Sequence, residues 1–280
     1  MEATISRRRR FNFRGSLNIP FVVFMVFFVV IPLFLILFFA FTDAEGHFSL
    51  KNWADIFTSP EKWKTIGMTF VVAIATTAIC ILIAYPVAYI LSNKKFNKNK
   101  VLVYVFLLPM WVNFVVRTMA LKDMLNFSFV KIIGSQLTAT HPLLGTIVGM
   151  VYDYLPFAIL PLYNQMLKMD KNQIEAAADL GANPFRVFYK VIIPMTVPGI
   201  ISACTMTFMP TMSSYVIAFH KSNGKVPIIG TLIEFYFSTG TGGYNSGAVL
   251  SLVMLIIIGF SLFMEKLSNK KDESRKAGIW

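Results

Sequence analysis

Two cysteines, three histidines and fourteen acidic side chains in 280 residues leave little material for catalysis or metal binding. Cys80 and Cys204 both fall inside apolar runs and are too few for a disulfide framework or a thiolate cluster, so they read as small apolar fillers. His47, His141 and His220 are scattered near the ends of apolar segments, without partners at ligand spacing. The glycine-rich stretch TGTGG at 239–243 lacks the Lys-Ser/Thr ending of a phosphate-binding loop. No nucleophile–base pair stands out. The expectation is a chain with no catalytic residue, no metal and no cofactor of its own. Charge is scarce too: 14% of residues are charged against 56% hydrophobic, which argues against a soluble domain.

What the chain has is long apolar runs. A helix of about 20 residues crosses the hydrocarbon of a bilayer, and six runs qualify, roughly 19–41, 66–91, 101–121, 143–167, 192–219 and 247–264. They are continuous, as in FVVFMVFFVVIPLFLILFFAF, and lack the alternation of a membrane β-barrel. The fold class expected is therefore an all-α integral membrane protein with six transmembrane helices. The tetra-arginine start followed by an apolar run resembles a signal peptide, but the run is too long and lacks a small-x-small site, so it reads as an uncleaved first span.

The net charge of +12 does not call for nucleic acid, because the cations are spread over loops. Eighteen Lys and Arg fall in the N-terminus, the 2–3 and 4–5 loops and the tail, seven in the other loops, and Arg117 lies within the third run. That asymmetry places both termini in the cytoplasm. The domain reading is a cytoplasmic basic N-terminus (1–18), a membrane domain (19–265) and a cytoplasmic basic tail (266–280). The expected setting is the plasma (inner) membrane of a bacterium, crossed several times.

Polar residues gather in the third to fifth spans. Asp153 lies near the middle of the fourth, where an ionised group costs about 2.5–3.5 kcal/mol on insertion scales. Flanked by Tyr152 and Tyr154, its carboxylate suits an organic cation; the other reading is a structural hydrogen bond or a pairing with Arg117. Trp111 and Asn113 join these as candidate pathway residues. Arg117 would repel a cation in the path, which favours a structural or gating role. Glu234, on the external side, is a gate or partner contact, or a solvated surface acid.

One stretch looks cytosolic: QIEAAADLGANPFRVFYKVIIP at 173–194. Asp170 suits an N-cap, the Ala-rich run forms helix readily, and Gly181 suits the position that ends one. Asn183 and Pro184 then start a second helix leading into the fifth span. The expected short helix, about 171–181, exposes Glu175 and Asp179 one turn apart beside the nearly bare Ala176, Ala177 and Ala178. It suits either protein docking or an ordinary interfacial loop.

Glu175-Ala176-Ala177, Gly181 six residues after the Glu, and the ending Val191-x-Ile193-Pro194 resemble the cytoplasmic signature of ABC-importer permease subunits. The departures are Val for Ile and Ile for Leu. The runs at 108–121, 151–170 and 228–255 resemble the first of two permeases in spermidine/putrescine importers. That resemblance implies a type I importer permease fold and a coupling helix that docks on an ABC ATPase homodimer, whose subunits bind ATP and Mg. It further implies a second, homologous permease and an extracellular or periplasmic polyamine-binding protein. Two other readings are open: an ABC permease for an oxyanion, iron or amino-acid-like solute, or a stand-alone secondary transporter.

Overall fold

The computed structural model describes residues 18–93, 101–133, 140–222, 225–239 and 243–277. Among the described residues the chain is helical, apart from a single bridge between Thr42 and Phe48. In chain order the helices are α1 (Ile19–Ala40), α2 (Lys51–Thr58), α3 (Pro60–Ser92), α4 (Val101–Trp111), α5 (Phe114–Ile133) and α6 (Pro142–Leu167). They continue with α7 (Lys171–Asp179), α8 (Pro184–Ser213), α9 (Val216–Ser222), α10 (Ile229–Ser238) and α11 (Tyr244–Ala277). Five of these, α1, α3, α6, α8 and α11, are each long and apolar enough to cross a membrane, and α4 with α5 forms a sixth, broken candidate.

The centre is the trio α3, α6 and α8. Lipid tails are as apolar as Leu, so close approach rather than exclusion from water holds such helices together, and small residues permit it. Cys80, Ala84 and Ala88 of α3, Ala158 of α6 and Ala203 of α8 are all fully buried there. Gly199 of α8 marks the tightest point, where a Cβ would stand 2.6 Å from the Gln165 Cβ of α6. Beside it the Gln165 side-chain amide donates to the Met195 carbonyl at 2.9 Å. Tyr85 of α3 completes the tie with a 2.9 Å hydroxyl–hydroxyl bond to Thr196.

Two spans differ from the sequence expectation. The run 101–121 is one apolar stretch in sequence, yet α4 and α5 meet at 94°. Pro109 sits in a tight 3-10 turn, Leu108–Trp111, that ends α4, and the Asn113 side chain accepts from the amides of Val115 and Val116 to start α5 afresh. Helix α5 then runs on to Ile133, beyond the end of the apolar run at 121. The fifth run, 192–219, is also divided: α8 starts at Pro184, passes a π turn at Phe188–Ile192, and stops at Ser213, leaving α9 separate. Hydropathy registers none of these breaks, because the residues on both sides are apolar.

Helix α1 is held at one end. Asn245 of α11 donates its amide to the carbonyls of Phe39, Thr42 and Asp43, and the Trp53 indole donates to that of Ala40 at 2.9 Å. The rest of its apolar surface, from Ile19 to Leu35, is exposed.

Candidate functional site

Two constellations emerge. The first is α7 and the turn after it. The Asp170 carboxylate accepts from the Asn172 amide at 3.0 Å and caps the start of α7. At its end Gly181 takes φ +78°, its amide donating to Ala178 at 2.9 Å and that of Ala182 to Ala177 at 3.2 Å. This is the paired closure of a glycine-capped helix. A Cβ on Gly181 would meet nothing within 4 Å, so the backbone angle alone requires glycine there. Asn183 then accepts from the Arg186 amide at 2.8 Å, with Pro184 opening α8. Glu175, Ala176, Ala178 and Asp179 are exposed, while Ala177 is half-buried and Ile174 faces the fold beside Tyr89, Met166 and Met169.

Sequence reasoning missed the apolar part of this surface. Leu180 is 89% exposed and Phe185 71%, and the Phe185 and Tyr189 rings pack 5.0 Å apart. These side chains stand among Asp179, Gly181 and Asn183, at polar chain ends where lipid is a poor neighbour. The signal in sequence was weak, because single apolar residues such as Leu180 and Phe185 among polar neighbours are common on surfaces.

The second constellation surrounds the α4–α5 break. Arg117 Nε donates to Asp153 Oδ1 at 2.7 Å, Thr118 donates to Oδ2 at 2.9 Å, and Arg117 Nη1 donates to the Pro109 carbonyl at 2.7 Å. Asp153 is fully buried and Arg117 nearly so. One guanidinium therefore joins three elements: the carbonyl end of α4, its own α5 and the middle of α6. The Pro109 carbonyl also accepts the Val112 amide at 3.3 Å, and the guanidinium adds a charged donor that complements the dipole at this helix end.

The flanking tyrosines diverge. Tyr152 is half-exposed with the Arg117 guanidinium 5.7 Å from its ring centre, whereas Tyr154 is buried and donates to the Pro210 carbonyl of α8 at 3.2 Å. Successive helix residues point about 100° apart, so the two rings do not enclose Asp153. Trp111 projects from the bend, 84% exposed, and Asn113 is spent on capping α5. Glu234 stands apart, exposed on α10. Thr118 and the Pro109 carbonyl are the contributors that sequence reasoning did not assign. Among the described residues no three His, Cys, Asp or Glu side chains come together as a metal site would require.

The model of the binding-protein-dependent transport system inner membrane component matches residues 81–270, which include both constellations. The chain belongs to that family. It is a permease subunit of an ABC importer, a multi-pass and non-catalytic membrane component whose family implies ATPase and binding-protein partners. The spermidine/putrescine transport system permease protein PotB of Haemophilus influenzae is 30% identical to this permease over 270 residues, covering 89% of this chain and 93% of that one. PotB of Escherichia coli K12 is 28% identical over 273 residues, covering 91% and 98%. Among solved structures, a chain of a bacterial alginate ABC transporter superposes with a TM-score of 0.70 at 14% identity, covering 92% of the permease and 95% of that chain. At that identity the likeness concerns the fold.

Proposed function

We propose that this permease forms half of the translocation pathway of an ATP-driven importer for polyamines, spermidine and putrescine among them. The observation that carries the substrate class is the 27–30% identity to spermidine/putrescine permeases across about nine-tenths of the chain. A second, homologous permease supplies the other half, and a polyamine-binding protein delivers the solute from outside. ATP and Mg are bound by an ATPase homodimer, not by this chain. The 18-to-7 asymmetry of cations supports cytoplasmic termini and a cytoplasmic α7, in the plasma (inner) membrane of a bacterium.

In this reading α7 is the coupling helix, with Glu175, Ala176, Ala177, Ala178, Asp179, Gly181, Asn183 and Pro184 forming or shaping the docking surface. Leu180 and Phe185 supply its apolar anchors, which interfaces place at their centres. Closure of the ATPase dimer draws α7 inward. The capped turn passes that motion into α8, and the Gln165–Met195 bond and the Gly199 contact carry it to α6 as a rigid-body rearrangement. The Arg117–Asp153 pair leaves no uncompensated cation at membrane depth to oppose a polyamine. Asp153 is engaged here, so a direct pathway role requires the pair to open; Trp111 and Tyr152 are the pathway candidates already exposed.

Co-expression with candidate ATPase, permease and binding-protein partners tests the reading. The chain should co-purify with the ATPase, and vesicles holding the complete complex should accumulate radiolabelled spermidine only with ATP and the binding protein. Purification free of any ATPase, or a complex that moves an oxyanion and no polyamine, overturns it.

A further inference from the structure

Helices α9 and α10 lie between the end of α8 and the start of α11, at the far end of α8 from α7. Along α10, Thr231, Glu234, Phe235 and Ser238 follow the i, i+3, i+4, i+7 spacing that brings side chains to one face. Facing them, Tyr215 and Phe219 stand four residues apart, with the Phe219 amide donating to the Tyr215 carbonyl at 2.8 Å. Together these residues line a cavity of about 400 Å3. That lies within the range of small-molecule pockets, about 300–1,000 Å3.

The walls are fixed. The Ile229 amide donates to Thr69 of α3 at 2.9 Å, and the Thr231 hydroxyl caps the start of α10 by bonding to Ile228. Gly230 lies so close to the end of α8 that a Cβ would stand 2.8 Å from the Ser213 carbonyl oxygen. Of the three hydroxyls in the lining, two are committed locally, Thr231 to Ile228 and Ser238 to Phe235, and the third is the phenol of Tyr215. Glu234 differs. It has no hydrogen bond or ion pair among the described residues, and Lys62 of α3 reaches instead toward the ring of Tyr236, 6.0 Å from its centre, two residues on and turned to another face. An unpaired carboxylate between aromatic rings therefore sets the character of the cavity. Anionic and neutral solutes gain little from that arrangement, whereas an alkylammonium group gains charge attraction and the faces of the rings together.

We infer that this cavity is an entry site for organic ammonium cations on the side facing away from α7, with Glu234 as counter-ion and Tyr215, Phe219 and Phe235 as the aromatic wall. It rests on the polyamine reading above and deepens it by placing a first contact outside the Arg117–Asp153 region. The site would take one ammonium end of an extended polyamine at a time.

Photo-crosslinking of the complete transporter with a diazirine derivative of spermidine tests the site, read by peptide mapping, alongside uptake of radiolabelled spermidine. Label should map to the α9 and α10 peptides, compete with unlabelled spermidine, and fall about three- to tenfold in Glu234→Gln, as loss of a partly exposed charge and cation–π contact implies. Glu234→Asp should restore part of it. If the wild-type complex imports spermidine while the label maps elsewhere or persists in Glu234→Gln, the site is overturned and the substrate reading stands. If Glu234→Gln weakens capture of the binding protein and leaves labelling unchanged, the cavity is a protein contact and the inference again fails. A wild-type complex that imports no polyamine removes the substrate reading and this site together.

Discussion

Arg117 and Asp153, 36 residues apart in sequence, meet at 2.7 Å where the broken span of α4 and α5 meets the continuous α6. The contact fixes the 94° bend as much as it neutralises charge, because the same guanidinium also holds the last turn of α4 through Pro109. Breaking a buried pair by removing one partner costs about 3–5 kcal/mol, while replacing both by apolar groups costs much less. Arg117→Met and Asp153→Leu should each lower the thermal midpoint of the purified permease sharply, and the double variant should recover most of the loss. Equal and additive losses in a melting series would show that the two side chains act independently.

Gly181 offers a cleaner separation of cause. Since a Cβ there meets no neighbour, only the positive φ opposes substitution. Gly181→Val should cost about 1–2 kcal/mol of local stability, and Gly181→Asn less, because Asn enters that backbone region more readily. ATPase pull-down from the assembled complex should rank glycine first, asparagine second and valine last.

At Gly199 the constraint is space instead. Gly199→Ala sets its methyl against Gln165 Cβ and the Pro161 carbonyl, atoms close to the backbone that yield little. Overpacking of this kind costs about 1–3 kcal/mol. The variant should melt earlier and lose uptake, in contrast to Gly259→Ala on α11, whose Cβ would meet nothing within 4 Å.

Leu180→Ser tests the apolar half of the docking surface. The side chain is almost wholly exposed, so folding stability should hold within about 0.5 kcal/mol. Association with the ATPase should weaken about tenfold or more, as truncation of a buried anchor does elsewhere. An unchanged ATPase affinity would confine docking to the polar and small residues of α7.

The legible parts of this molecule are those governed by local rules. Apolar length gave the spans, and the punctuation of α7 could be read from Asp170, Gly181, Asn183 and Pro184 because caps depend on nearest neighbours in sequence. The bend at 111–114 was not legible as a right angle: Pro109 and Asn113 can kink a helix or redirect it, and the Arg117 bond back to Pro109 depends on α6 arriving alongside. Reading Tyr152, Asp153 and Tyr154 as one cage failed to allow for helical rotation, which sends adjacent side chains to different neighbours. Glu234 reads as a gate or partner contact or a solvated acid, and the cavity around it was not legible for a related reason. Its aromatic company comes partly from Tyr215 and Phe219, across a break in an apolar run that shows no outward sign of it.

The anchoring of α1 bears on how the chain tolerates sequence drift. Asn245 and Trp53 hold that helix through the carbonyls of Phe39, Ala40, Thr42 and Asp43, acceptors that every residue type supplies. The Thr42 hydroxyl is only a more distant acceptor, at 3.4 Å, so most of the grip falls on backbone and its chemical specificity resides chiefly in the two donors. Substitution along the exposed stretch of α1, from Ile19 to Leu35, is therefore nearly free for this subunit's own fold while the residues remain apolar, whereas the buried Ala40, the amide at 245 and the indole at 53 have little freedom to change.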